Sequence, residues 1–469
     1  MGIPSSVAQP SKFVDIQDNK EKQILFNRPR GVTDSVPVIL LQRIFAEFVD
    51  DCETYRPTAV DNAFVQKLSD KMSAYYPAED KRMFQFRQLL AEYGIPLDNG
   101  TIGDTSYSTN GHMMLSNKLI PLLITEGKNE IGSGSAEPFA QALIYYHVFL
   151  KEGRRLNPIP RPQSLFPCFQ IVVFGACFGI CGAIFPSKIQ SDVLIPVIPL
   201  FCHPTDLPMQ AMAARALGSL KIAIDKVKEL YDTPLLSFNP GDEFILRCPY
   251  PRSYTDSMKH MHRFTYEKTQ DLRSRLIFFG TVDDETQNKI CIKFVRRYSP
   301  EAHCFCASSG HAPKLIAYER LPGGWNMVIM DFLEIVQHPL QRPGTYRQFH
   351  NMTYEDRLAL EGPITSFIHD LHEGGFVHGD IRDTNLFAGL DGKFMLIDFD
   401  WAGQITRTFY PMHVNRYDIY RPDGAVDMME ITVEHDLEML LHVFHGMAAK
   451  RRRILSPAEA PVEESPMDI

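Results

Sequence analysis

The chain has 469 residues, 44% hydrophobic and 22% charged, with 48 basic against 57 acidic side chains and a formal net charge of -9. That length and composition can bury more than one core and exclude a chain disordered over most of its length. The acidic balance argues against a protein whose main task is coating nucleic acid.

Residues 1–95 place Val38, Leu41, Ile44, Phe45 and Phe48, then Phe64, Leu68 and Met72, at helical spacing, which predicts a helical N-terminal region. The opening MGIPSSVAQP holds no apolar run of secretory-signal length, and its M-G-x-x-x-S fits an acylation pattern only loosely. Nine cysteines, with no C-x-x-C pair, imply free thiols and an intracellular compartment, cytoplasmic or nuclear. His303, Cys304, Cys306 and His311 cluster in sequence without the paired thiols of a zinc site, so packing is expected of them.

From 96 to 240, strand-like runs (HMML, LIPLLIT, FQIVVFG, VLIPVIPL) alternate with helix-like ones (EPFAQALIYYHVFL, PMQAMAARALGSLKIAIDKVKELY), the order of an α/β unit. Within it, Phe166 to Phe185 is nearly unbroken apolar sequence, long enough to cross ~30 Å of hydrocarbon as a helix. Three glycines, Pro167, Gln170 and several β-branched residues favour two short buried strands instead, so no membrane span is expected.

Glu126 and Lys128 stand at E-x-K spacing on a predicted strand, which puts both side chains on one face. Gln141 and Tyr145 follow at Q-x-x-x-Y on a predicted helix. This set resembles the restriction-endonuclease-like, PD-(D/E)xK, fold. The resemblance implies that Glu126 and an upstream acid hold Mg²⁺, that Lys128 activates water at a phosphodiester, and that nucleic acid is a partner. Asn110, a neutral amide, occupies the upstream place, with Asp104 nearby, so a recognition module that does not cleave is expected.

After a junction, SFNPGDEF, residues 245–449 run strands first (RLIFFGTV, turn DDETQN, KICIKFV) and helices later, which predicts a two-lobed domain. Residues 450–469 are polar and Pro-containing, and are expected to be a disordered tail whose KRRR is a weak nuclear-targeting signal. The fold class expected for the whole is α+β: a helical region, an α/β unit, and a bilobal C-terminal domain.

The sequence FVHGDIRDTNLFAGLDGKFMLIDFDWAG carries the chemistry. His378, Asp380 and Asn385 form H-x-D-x-x-x-x-N, and Asp398 follows thirteen residues later. Phosphoryl transfer needs such a set: a carboxylate to orient and accept the proton of the attacking hydroxyl, and oxygen ligands for Mg²⁺. Leu360, Ile364, Ile368 and Leu371 trace one helix face ending at Gly374 and Gly375, so the loop should leave a helix C-terminus. LFAGLDGKFMLID reads as a hairpin presenting Asp398.

Over about 200 residues this wording resembles the fungal-type protein kinases of the protein-kinase-like superfamily. The resemblance implies an ATP- and Mg²⁺-dependent phosphotransferase with a protein phosphoacceptor. Asp380 is then the catalytic base, His378 packs to hold the loop, and Asn385 and Asp398 are metal ligands. Lys293 of KICIKF contacts the nucleotide phosphates, Glu301 is its partner on the next helix, Asp331 and Leu333 offer backbone groups to adenine, and Asp436 braces the loop. Four features depart from that pattern. FTYEKTQDLRSRLIFFG has its only glycine at Gly280, Gly379 stands where Arg is usual, Arg382 replaces a lysine, and Asp400 replaces the glycine of D-F-G. Gly379 and I-D-F-D are also reminiscent of choline and aminoglycoside kinases, which implies a cationic small-molecule acceptor as the alternative. A pseudokinase scaffold is the third.

The charge is concentrated. Residues 351–449 carry 6 basic and 17 acidic groups, whereas residues 1–240 carry 23 and 24. The acidic lobe favours a basic peptide or cationic substrate.

Overall fold

The computed structural model describes residues 2–30, 35–115, 120–156, 165–232, 242–267, 276–336, 344–390 and 392–455. They form a mixed α+β structure that divides into two compact units, the first essentially residues 1–251 with Pro322–Gly324, the second Arg252 onward.

The first unit opens with six helices: α1 (Pro4–Val7), α2 (Pro10–Asp18), α3 (Val38–Leu41), α4 (Arg43–Thr54), α5 (Ala59–Met72) and α6 (Glu79–Tyr93). Its sheet contains β1 (Gly111–Met114), β2 (Pro121–Lys128), β3 (Cys168–Phe174), β4 (Cys177–Ile184), β5 (Gln190–Val193) and β6 (Ile198–Pro199). Strands β1 to β5 lie in sequence order, and β6 pairs β4. Strands β2 and β3 are parallel, connected by α7 (Pro138–Leu156), which packs on both; the other pairs are antiparallel. The long α8 (Leu207–Asp232) closes the unit against α4 and α5.

Every residue of β2 and β4 is buried, because α7 lies on one face of the sheet while Phe45 of α4 and Met83 of α6 press on glycines of the other. Burial on both faces is why these strands read as continuous apolar sequence and not as an alternation. The 166–185 run is therefore the hairpin β3–β4, with Phe174 opposite Cys177. No helix among the described residues is long and apolar enough to cross a membrane.

The second unit begins with an antiparallel sheet in the order β11-β12-β10-β9-β8-β7. Its strands are β7 (Ser253–Thr255), β8 (Met261–Tyr266), β9 (Ile277–Val282), β10 (Lys289–Val295), β11 (Leu315–Leu321) and β12 (Trp325–Asp331), with α9 (Pro300–Ser308) between β10 and β11. A second lobe follows, with β13 (Glu334–Ile335), β14 (Thr345–Gln348), α10 (Tyr354–Leu358), α11 (Glu361–Glu373), β15 (Phe376–Val377), β16 (Leu386–Ala388), β17 (Phe394–Leu396), β18 (Gly403–Gln404) and α12 (Val433–Leu455). Ile364, Ile368 and Leu371 of α11 form the expected buried stripe, packed with Leu386, Leu396, Phe399 and Leu440. The β16–β17 hairpin pairs Leu386 with Leu396.

Helix α12 continues to Leu455, so the backbone of the KRRR at 450–453 is helical, a departure from the expected tail. The remainder of that tail, the SFNPG part of the 237–244 junction and residues 268–275 between β8 and β9 lie outside the described residues.

Candidate functional site

In the second unit, α11 ends at Gly374 and the chain passes through β15 into the loop His378–Asn385. Asp436, wholly buried in the first turn of α12, accepts the backbone N–H groups of His378 and Gly379 at 2.7 Å each and a third bond from His372 Nε2 at 3.2 Å. One carboxylate thus fixes the loop at its first two residues, as expected of Asp436. Gly379 sits at φ +79°, a left-handed conformation that strains any side chain, and a Cβ there would also require Ile431 Cδ1, 2.7 Å away, to shift. His378 accepts from Asp380 N at Nδ1 (3.2 Å) and donates from Nε2 to Ile397 O (3.1 Å), tying the loop to the strand before Asp398.

Asp380 is buried and fully engaged. Its Oδ2 accepts from Asn385 Nδ2 at 2.9 Å and faces Arg382 at 3.2 Å, while Oδ1 accepts from Arg421 Nη2 at 2.6 Å. Arg421 is itself buried, its guanidinium 4.6 Å over the Trp401 ring. The sequence gives no sign of this residue, which lies 41 positions beyond Asp380 in a segment without regular structure. Asn385 uses its amide nitrogen on Asp380, both carbonyl and carboxylate, which directs its oxygen elsewhere.

Strand β10 delivers Lys293, 7% exposed, to two carboxylates: Asp398 Oδ1 at 2.5 Å and Asp400 Oδ1 at 2.6 Å. Burial opposes charge on Lys293, but the two carboxylates outweigh it and hold its pKa above the usual value. Burial also pushes both acids up. The Lys293 charge outweighs it at Asp398, which stays ionised below the ordinary carboxylate range, whereas Asp400, facing Asp398 as well, is pushed up to about 7. Asp398 adopts φ +74°, a left-handed conformation uncommon outside glycine.

Glu301 is not the partner of Lys293. It lies exposed in the first turn of α9, whose buried face is Ala302, His303 and Cys306; at 100° per residue no acid reaches inward. Asp400 supplies the countercharge instead. Helix α9 is held through His303, which stacks 4.6 Å from Phe399 and bonds Tyr298 Oη and Pro313 O; burial lowers its pKa to about 4, so it is neutral. His303 is thus held by packing and by hydrogen bonds to Tyr298 and Pro313. All nine cysteines are free. Asp331 ends β12 and donates its N–H to Lys314 O, so what it can offer a ligand is its carbonyl; Leu333 follows, before β13.

In the first unit Lys128 Nζ reaches Glu126 Oε1 at 3.2 Å and Gln141 Oε1 at 3.1 Å, so strand spacing did bring these three together. The upstream position is different from expectation. Asn110 accepts Gly127 N–H at 2.8 Å, holding strand to strand, and Asp104 is exposed and paired with Arg155. A carboxylate arrives instead from α6: Glu79, 3.6 Å from Lys128. Nothing in the spacing announced Glu79, 47 residues before Glu126. Burial raises the Glu126 pKa to about 8, and its Oε2 is buried without a partner among the described residues.

No family model and no curated protein matches this chain. Among solved structures it is similar to the Cydia pomonella granulovirus kinase PK-1, with 15% identity, 32% of this chain and 58% of that chain covered, and a TM-score of 0.25. The match spans less than two thirds of that protein and is too slight to carry an argument.

Proposed function

We propose that the second unit is an ATP- and Mg²⁺-dependent phosphotransferase, with a protein Ser or Thr hydroxyl as acceptor. One observation carries the reading: the loop braced by Asp436 presents Asp380 and Asn385 while Lys293, from the other lobe's sheet, meets Asp398 and Asp400. Positioning and charge are most of what phosphoryl transfer asks of a protein.

Asp380 would accept the hydroxyl proton, with Asn385, Arg382 and Arg421 holding its carboxylate in place. Asn385 Oδ1 and the carboxylates of Asp398 and Asp400 are oxygen ligands of the hard kind Mg²⁺ takes, and the Lys293 ammonium between the two carboxylates supports a cation there. When bound, the metal–nucleotide supplies the phosphoryl group and offsets its charge. Lys293 is then the residue to move onto the phosphates, and Asp331 and Leu333 are the residues that would offer backbone groups to adenine.

Thermal shift with ATP and Mg²⁺ tests the reading, since a ligand bound at 100 times its Kd adds about 2.7 kcal/mol to stability. No shift, with Asp398→Ala equal to wild type, leaves a pseudokinase scaffold. Phosphate transfer to protein or to amino-alcohols, with Asp380→Ala as control, separates a fungal-type protein kinase from a choline- or aminoglycoside-type enzyme.

A second reading applies to the first unit. The unpartnered Glu126 Oε2 beside Glu79, Gln141 and Lys128 supports a divalent-cation site of the restriction-endonuclease-like kind, acting on nucleic acid. Mn²⁺-dependent DNA cleavage that survives in Glu126→Ala would remove this reading.

A further inference from the structure

Residues 409–430 of the second unit form an exposed face that no step above uses. Two arms of this segment are held together by backbone bonds: Phe409 bridges Glu430, and Tyr410 N–H donates to Met429 O at 2.8 Å. Tyr410 is buried, its ring 5.8 Å from Trp401, which lies under the Arg421 guanidinium bonded to Asp380. On the outside stand Phe409, Met412, Met428 and Met429, between 45% and 69% exposed. The face is thus a few side chains from Asp380.

Four large apolar side chains exposed in so short a stretch mark a contact surface, and methionine adapts readily to a partner. The charge among them is negative. Residues 409–430 carry Asp418, Asp423, Asp427 and Glu430 against Arg416 and Arg421, and Arg421 is committed to Asp380. Bridge partners put their side chains on one side, so Glu430 stands beside Phe409. A ligand that suits this face is both cationic and apolar.

The chain itself contains such a segment. Lys450 to Arg453 is its only run of more than two basic residues, and Ile454, Leu455 and Ser456 follow directly. Ser465, followed by proline as Ser456 is, comes instead after Glu463 and Glu464. Helix α12 decides which copy can use Ser456. Asp436 in its first turn holds His378 and Gly379, beside Asp380, and Leu455 at its end lies about 28 Å farther along at the helical rise of 1.5 Å per residue. A chain with α12 intact therefore keeps its own Ser456 from its own Asp380.

We infer that Ser456 is phosphorylated in trans by a second copy of this chain, whose acidic and apolar face reads Lys450 to Leu455. The inference rests on the phosphotransferase reading and names a substrate for it. Ser456 Oγ forms a bond to the γ-phosphorus of ATP while the bond from that phosphorus to the β,γ-bridging oxygen breaks. ADP leaves with the electron pair, and the hydroxyl proton passes to the Asp380 carboxylate.

The test mixes an active Ser456→Ala chain with an Asp380→Ala chain, ATP and Mg²⁺, and maps phosphate by tandem mass spectrometry. Phosphate is expected on Ser456 of the Asp380→Ala chain and not on its Ser465. With the wild-type chain as enzyme and a peptide of residues 449–459 as acceptor, changing the four basic residues to Gln should lower kcat/KM about tenfold or more, mainly through KM, and added salt should act in the same direction. The double variant Met428→Ser, Met429→Ser should lower kcat/KM for that peptide while keeping the ATP–Mg²⁺ thermal shift, which shows that it is folded. Ser465 modified as fully as Ser456, or a Gln peptide as good as the basic one, overturns the inference. So does phosphate on Ser456 of the wild-type chain alone with none in the mixture, which means transfer in cis. If histone accepts phosphate but Ser456 does not, the inference fails and the phosphotransferase reading stands; if neither accepts it, both fail.

Discussion

Each unit sets one lysine between two carboxylates, and the two clusters are differently satisfied. In the second unit Lys293 meets both acids at 2.5 and 2.6 Å, each acid keeps some contact with solvent, and the neighbouring Asp380 has donors on both oxygens. In the first, Lys128 is 3.2 Å from Glu126 and 3.6 Å from Glu79, and one buried oxygen of Glu126 has no partner among the described residues. The same residue types therefore form a pre-positioned charge network in one place and a strained carboxylate in the other. Satisfaction of the carboxylate oxygens, and not the count of charges, separates them, for in the second unit it is Arg421 Nε and Arg382 Nε that are buried without a partner among the described residues.

The largest expected effect breaks the satisfied network at its most buried pair. Arg421→Ala leaves Asp380 Oδ1 without its donor and should cost about 3 kcal/mol of stability by chemical denaturation, the low end for a buried pair because Asn385 and Arg382 remain. It should also lower phosphate transfer, whereas a purely structural arginine would leave the rate of the folded fraction unchanged. Lys293→Met comes next, at about 2 kcal/mol, reduced because both carboxylates are partly solvated. Its cost should shrink in acid, where Asp400, pushed up to about 7, takes a proton and one of the two repelling charges disappears. A penalty equal at pH 5.5 and 8.5 would contradict that assignment.

Gly379→Ala should cost about 1–2 kcal/mol, from the left-handed backbone and the approach to Ile431, and displace the loop that Asp436 holds. The smallest net change is expected in the unsatisfied cluster. Glu126 has a folded pKa of about 8 against 4.5 ordinarily, so the native chain holds a proton that the unfolded chain releases. Stability of the first unit therefore falls as pH rises from 4.5 to 8 and stays low above it. Glu126→Gln should flatten that profile and lie within about 1 kcal/mol of wild type at pH 6, becoming the more stable form by about pH 7, since the wild type loses about 1.4 kcal/mol per pH unit in this range. A variant less stable than wild type at pH 9 would show that the Lys128 pair outweighs burial.

Much of the architecture was legible because it rests on periodicity and spacing. The helix stripe ending at Gly374, the 386–396 hairpin, the E-x-K face and the H-x-D-x-x-x-x-N loop all depend on residues near one another in the chain. The partners of charged groups were less legible. Glu301 was the best candidate acid on the next helix, only eight residues beyond Lys293, yet helical rotation turned it to solvent, and Asp400, 107 residues from Lys293, took its place. Glu79 and Arg421 likewise join segments far apart in sequence.

By itself the sequence determined which residue types stand close together locally, since residue type and local spacing set the H-x-D-x-x-x-x-N loop, the Lys293 strand and the acidic balance of the lobe. Only the tertiary structure decided which charges meet, because ion pairing depends on distances of a few ångströms between elements whose separation along the chain carries no information about them. For the same reason the lobe's net charge was readable from composition, but the partner of each charge was not.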